Sequence, residues 1–197
     1  MEPKLVFAII STLLGLAGFG PYFWDIFHKK TTPHIYTWLI WCLTQGTATL
    51  GLLKGGGGFG AIALSVGTFF VFLIFLLCFR YGTKNITRND TIVLTAALIA
   101  VVMYWFLHLP LIAVLMVSAI DGAGYIPTWR KTFEEPWSET LWTWGIFSIA
   151  NIFALFALKQ FNLLTATYLI TITAANIIVL LIGYTRRNKA NRPIADN

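Results

Sequence analysis

The chain has 197 residues, 57% of them apolar and only 11% charged, with a mean hydropathy of +0.74. Soluble domains carry about 25% charged residues, so this composition excludes a water-exposed globule, a disordered chain and a basic nucleic-acid-binding domain. Seven hydrocarbon-spanning helices of about 20 residues would use about 140 residues, which leaves short connections and no separate soluble domain.

Apolar runs between polar punctuation predict seven spans in chain order. They run from Leu5 to Phe27, Ile35 to Leu53, Phe59 to Phe79, Thr91 to Leu107, Leu111 to Trp129, Trp137 to Leu158 and Leu163 to Thr185. The first begins after Met1-Glu2-Pro3-Lys4, which lacks the strongly positive leader of a secretory signal, so it reads as a retained helix. The fourth and fifth are separated only by His108-Leu109-Pro110, a turn tight enough that one long kinked span is the competing reading. The fifth contains Asp121, about ten residues from either end. The sixth carries Asn151 and the seventh Asn176, each near its middle, as Gln45 is in the second.

Basic residues segregate between the two sets of span ends. Lys29, Lys30, Arg80, Lys84, Arg88, Arg130, Lys131, Arg186, Arg187, Lys189 and Arg192 fall on one side, and Lys4, Lys54 and Lys159 on the other. Positive loops stay cytoplasmic, so the N-terminus is expected outside and the C-terminus in the cytoplasm of a multi-pass protein of the cell (inner) membrane. The net charge of +6 is therefore mainly a topology signal, with contact to anionic lipid as its second use. The Asn85-Ile86-Thr87 triplet lies on the cytoplasmic side, where it is not a glycosylation acceptor. Cys42 and Cys78, both inside apolar stretches, read as packing residues.

An offset of 106 brings uncommon residues into register. Pro21 meets Pro127, Ala17-Gly18-Phe19 meets Ala123-Gly124-Tyr125, Trp38 meets Trp144, Gln45 meets Asn151 and Arg80 meets Arg186. Spans one to three thus correspond to spans five to seven. The repeat is parallel because four spans separate its members, a recurrent transporter plan. The expected fold is all-α and integral to the membrane: seven transmembrane helices as two parallel three-helix repeats joined by a linker helix. The first repeat covers 1–82, the linker with the fourth helix 83–109, the second repeat 110–187 and the cytoplasmic tail 188–197.

On the motifs Gly18-Phe19-Gly20-Pro21 and Gly124-Tyr125-Ile126-Pro127, the chain resembles the SWEET and PQ-loop superfamily of seven-helix carriers. The resemblance implies the three-plus-one-plus-three plan, an external N-terminus and a cytoplasmic C-terminus. Tyr22 and Thr128 stand where those carriers have Gln after the proline. Sugar-carrying members pair an asparagine on helix three with one on helix seven; here Asn176 matches the second, while Phe70 occupies the first position, with Thr68 and Ser65 nearby. That departure argues against sugar in particular and leaves polar or aromatic cargo open, including a nucleoside-like one as in the nicotinamide riboside carriers of this fold.

Pro21 and Pro127 lack an N–H and free the carbonyls of Ala17 and Ala123. With Gly18 and Gly124 they form a symmetric pair of hinges, or else ordinary membrane-helix kinks. Gln45, Asn151 and Asn176 need polar partners in hydrocarbon, so they bind a polar substrate or tie helices together. With Asp121 they are expected to line one midplane cavity. A desolvated carboxylate can alternate between charged and neutral forms, so Asp121 is the candidate for proton coupling, with a structural hydrogen-bonding role as the alternative. Asp25 has the i,i+4 spacing to pair with Lys29. Trp24, Trp129, Trp137 and Trp142 read as interfacial anchors, and Trp38 and Trp144, slightly deeper, as anchors or as a stacking platform for substrate. His34 and His108 fall at span ends.

The expected function is a transporter moving a small polar solute, sugar-, nucleoside- or amino-acid-like, by alternating access. Its partners are then the small-molecule substrate and the bilayer, without nucleic acid, metal or cofactor. The alternative is a receptor or sensor on the same fold. Receptors of the KDEL type grip a carboxylate with mid-depth cations, which this chain lacks. No lysine lies between Leu163 and Thr185 to hold retinal, and no nucleophile with a spaced base marks an enzyme.

Overall fold

The structure, a computed structural model, describes residues 2–29, 33, 35–82, 88–134, 136 and 141–189. His34, Trp137, the 85–87 triplet and the basic residues Lys30, Lys84 and Arg192 lie outside the described residues. The described chain is helical throughout: α1 (Pro3–Phe27), α2 (Ile35–Lys54), α3 (Gly60–Tyr81), α4 (Arg88–Trp105), α5 (Pro110–Gly124), α6 (Ile126–Glu134), α7 (Leu141–Ala157) and α8 (Leu163–Arg187). α1, α3 and α8 are long and apolar enough to cross a bilayer, while Leu94–Trp105, Pro110–Gly124 and Leu141–Ala157 are apolar but shorter. Large apolar side chains such as Leu13, Phe69, Phe79 and Leu181 stand exposed around the bundle, far more apolar surface than a soluble monomer shows. This is a helical membrane protein.

One element differs from the pattern read in the sequence, while the fourth and fifth runs are two helices as that pattern has them. α4 and α5 are separate helices: Leu109 N–H reaches Met103 O at 3.0 Å across the turn, and His108 takes a left-handed conformation (φ 51°). The fifth run, expected as one helix over 111–129, breaks at Tyr125 into α5 and α6. α1, by contrast, continues through Pro21 without interruption. At the end of α1, Lys29 turns left-handed (φ 57°), which takes it out of i,i+4 alignment with Asp25.

Neighbour relations arrange six helices in a ring. α3 lies between α1 and α2, α8 lies between α5 and α7, and the two groups meet where α1 packs on α7 and α2 on α5. α4 packs outside, against α2 and α5. Paired contacts fix the directions. Phe19 meets Phe70 and Phe27 meets Tyr81, so α1 and α3 run parallel. Phe7 meets Phe153, Ser11 Oγ donates to Ala150 O at 2.6 Å and Phe19 meets Phe147, so α1 and α7 run antiparallel.

Glycines permit these close approaches, as small residues do in membrane bundles. A Cβ on Gly18 would collide with the Phe147 ring, one on Gly51 with Val114, and one on Gly183 with Leu141. One core cluster gathers Ala48, Leu52, Leu64, Val114, Val117 and Leu169, and a second holds Ile26, Trp38, Val71, Ile74 and Cys78. Both cysteines are free thiols.

Lys4, Lys54 and Lys159 gather at one end of the bundle. Lys4 Nζ donates to Leu158 O at 2.8 Å and to Lys159 O at 3.2 Å, and Lys54 lies over the Tyr104 ring at 4.5 Å. There the α2–α3 and α7–α8 loops clasp each other: Lys159 N–H donates to Gly57 O (2.9 Å), Gln160 N–H to Gly56 O (3.2 Å) and Asn162 Nδ2 to Gly55 O (3.0 Å). Gly56 (φ 78°) and Gly58 (φ 59°) supply the left-handed turns this clasp needs. At the other end, Arg186 Nε reaches Phe133 O and Arg187 Nε reaches Pro136 O.

Candidate functional site

The α5 sequence is apolar except for small residues and Asp121, and burial of that carboxyl forces its neighbours to supply polar partners. Asp121 is 7% exposed and Asn176 2%. Tyr168 is the first partner: its hydroxyl donates to Asp121 Oδ2 at 2.5 Å, and the Gln45 side chain lies against the same hydroxyl. Thr44, one residue before Gln45 on α2, lies against the same carboxyl. One turn beyond Asp121, Tyr125 donates its hydroxyl to Asn176 Oδ1 at 2.8 Å. The Trp129 indole N–H reaches Ala175 O at 3.1 Å, so both residues flanking the α5–α6 break are held to the same turn of α8.

This geometry follows from helical spacing. Asp121 and Tyr125 are four residues apart, and Tyr168, Ile172 and Asn176 recur every four along α8, so each set shares a face. Asp121 meets Tyr168 and Tyr125 meets Asn176 in the same chain order, which makes α5 and α8 parallel. α8 starts at a defined residue because Asn162 accepts from the backbone of Leu164 and Thr165 while the Thr165 side chain caps in return, a capping box.

Of the residues singled out in the sequence, Gln45 and Asp121 meet at Tyr168, Asn176 bonds Tyr125 one turn further on, and the Trp144 ring lies 5.7 Å from Tyr125. The others lie elsewhere. Thr68 shares a hydrogen bond with Thr49 at 2.9 Å and donates to Leu64 O, so its hydroxyl ties α3 to α2. Trp38 packs on Tyr22 and Trp41, at 5.2 and 4.9 Å. Asn151 is half-buried on α7 and makes no hydrogen bond among the described residues. Phe70, in the place of the missing asparagine, stacks on Phe19 at 5.6 Å. Gly18 touches Phe147, whereas Gly124 has open space around it. Pro21 lies within α1, and the backbone of Pro127 lies in the first turn of α6. Gln45, Asp121 and Asn176 thus gather along one face of α8, at Tyr168 and at Asn176 itself.

Tyr125, Tyr168 and Thr44 were not singled out, because tyrosine and threonine in apolar helices read as interfacial or packing residues. Their spacing from Asp121, Asn176 and Gln45 is the signal that finds them. Among the described residues, two buried side-chain atoms have no hydrogen-bond partner, Asp121 Oδ1 and the Tyr104 hydroxyl. Among the described residues no three His, Cys, Asp or Glu side chains converge as a metal site.

Comparison with protein-family models, with curated proteins and with solved structures found no match for this chain.

Proposed function

We propose that this protein is a membrane carrier that moves a small polar solute by alternating access between two parallel three-helix units, α1–α3 and α5–α8, joined by α4. The observation that carries this reading is the buried polar network at the boundary between the units. Gln45 of the first unit lies against Tyr168, whose hydroxyl donates to Asp121 in the second. A membrane interior tolerates such groups where they serve a path or a proton relay.

Two further features support it. The neighbour relations map onto themselves when α1, α2 and α3 are exchanged for α5, α7 and α8. The offset of 106 also carries the Phe19–Phe70 contact onto the Tyr125–Asn176 contact. In the proposed topology the loop clasp at the Lys4, Lys54 and Lys159 end is external and shut, and the Arg186 end is cytoplasmic. Asp121 is the group that exchanges a proton during the cycle, and Tyr125, Asn176, Gln45 and Trp144 are the groups that meet the solute.

The test is uptake into proteoliposomes of a panel of sugars, nucleosides, amino acids and amines, with and without a pH gradient. Carrier function gives accumulation of one class above protein-free vesicles, reduced at least tenfold by Asn176→Ala, with loss of the pH-driven component in Asp121→Asn. Binding of a solute without its passage supports the receptor reading instead. Undiminished uptake in both Asn176→Ala and Asn151→Ala removes the carboxamides from the site.

A further inference from the structure

Among the described residues, Asp121 Oδ1 is buried and has no hydrogen-bond partner. The Tyr168 hydroxyl is spent on Oδ2 and the Tyr125 hydroxyl on Asn176. Thr44, which lies against the carboxyl, donates its hydroxyl to Ile40 O, and the Gln45 side chain lies against the Tyr168 hydroxyl. The titratable groups facing Asp121 are Tyr168 from α8 and Tyr125 at the α5–α6 junction; α2 offers only Thr44 and Gln45. Tyr104 of α4 lies beneath Lys54 at the end of the bundle.

A buried carboxylate oxygen with no partner in the protein is satisfied by something brought to it, a water, a proton or a cation, and of these a proton or a cation also meets its charge. The surroundings favour an organic cation over a metal ion. Calcium and magnesium need a shell of six or more oxygens, whereas here aromatic rings lie around the carboxyl: Tyr168 on it, Tyr125 one turn away, and Trp144 and Trp129 against Tyr125. Rings beside a carboxylate suit an ammonium group, through the attraction of a cation to a π face. The first unit repeats the shape without the charge. Gly15 and Gly67 occupy the positions equivalent to Asp121 and Thr173, and they border a small cleft with Phe19 and Phe70. The molecule therefore holds one such carboxylate rather than a symmetric pair.

Resting on the carrier reading above, we propose that the cargo is a small organic monocation of the ammonium class, which binds Asp121 Oδ1 in competition with a proton and is exchanged for it. The neutral acid plus an ammonium ion gives the carboxylate–ammonium pair plus one released proton, so charge is conserved at each exchange and the cycle is electroneutral. One cation moves per proton because one carboxylate serves the cycle.

Benzylammonium binding to the purified protein, followed by calorimetry in two buffers of different ionisation enthalpy, is expected to release close to one proton per cation. It should weaken as the pH is lowered and weaken at least tenfold in Asp121→Asn, whose amide oxygen can still accept from Tyr168. Benzyl alcohol, the neutral analogue, should not bind. For flux, benzyltrimethylammonium, which has no neutral form to leak through lipid, is added outside vesicles containing a pH-sensitive dye. Exchange makes the lumen more alkaline in wild type and leaves it unchanged in Asp121→Asn. Absence of benzylammonium binding, or binding undiminished in an Asp121→Asn protein that elutes as a folded species, overturns the cation assignment while uptake of another solute still stands. Asp121-dependent binding with no lumenal pH change overturns the carrier reading and keeps the site.

Discussion

At the scale of single residues, Tyr168 brings three helices together at one hydroxyl, donating to Asp121 on α5 from its place on α8 with Gln45 of α2 against it. Tyr168→Phe leaves Asp121 Oδ2 without that donor, and an unsatisfied buried polar group costs about 1–3 kcal/mol. Thermal unfolding in detergent should therefore show a lower midpoint for Tyr168→Phe than for wild type; an unchanged midpoint means the bond carries no stability. Gly18 and Gly15 make a contrasting pair on α1. A methyl at Gly18 runs into the Phe147 ring, while one at Gly15 meets open space. Gly18→Ala should lower the midpoint and Gly15→Ala hold or raise it, since Ala is favoured over Gly in a helix by roughly 0.5–1 kcal/mol. Asp121, Asn176 and Gln45 were legible because a carboxyl or carboxamide stands out in an apolar run. Tyr168 and Tyr125 were not, because a phenol is at home in an apolar helix until its partner is known.

At the scale of elements, the two prolines that match in sequence behave differently. α1 passes through Pro21 while its aromatic face packs on α3, with Phe19 and Phe23 both against Phe70. The equivalent helix stops at Tyr125, where hydrogen bonds from Tyr125 and Trp129 hold the chain to Asn176 and Ala175. Proline removes one backbone bond in each case, and the surrounding side chains decide whether the helix bends there. That choice depends on tertiary partners, so it could not be read from Gly-x-x-Pro spacing. Helix starts were more legible, because they depend on local residues. Asn162 caps α8 and also reaches across to Gly55, so Asn162→Ala should cost about 0.5–2 kcal/mol. The check is the unfolding midpoint of Asn162→Ala beside that of Asn162→Ser, which retains a capping oxygen and should fall between the alanine variant and wild type.

At the scale of the whole molecule, the charge asymmetry read from the sequence has a spatial counterpart. Lys4, Lys54 and Lys159 share one end with the loop clasp, and Arg186 and Arg187 bond backbone at the other. The proposed orientation is tested with Phe161→Cys and Asn188→Cys in a background lacking Cys42 and Cys78. An impermeant maleimide should label the first on intact cells and the second only after lysis; the reverse pattern inverts the topology. Movement is the central claim, and the clasp is where it is measured most directly. A Cβ at Gly58 would stand 2.7 Å from Lys159 Cβ, so a small shift gives the Cβ spacing of about 3.5–4.5 Å that a disulfide needs. Gly58→Cys with Lys159→Cys, in the same cysteine-free background, is reconstituted and supplied with the solute that wild-type vesicles accumulate. Alternating access requires the clasp to open, so uptake should stop when the pair is oxidised and return when it is reduced. Equal uptake with the disulfide formed would contradict alternating access between the two units.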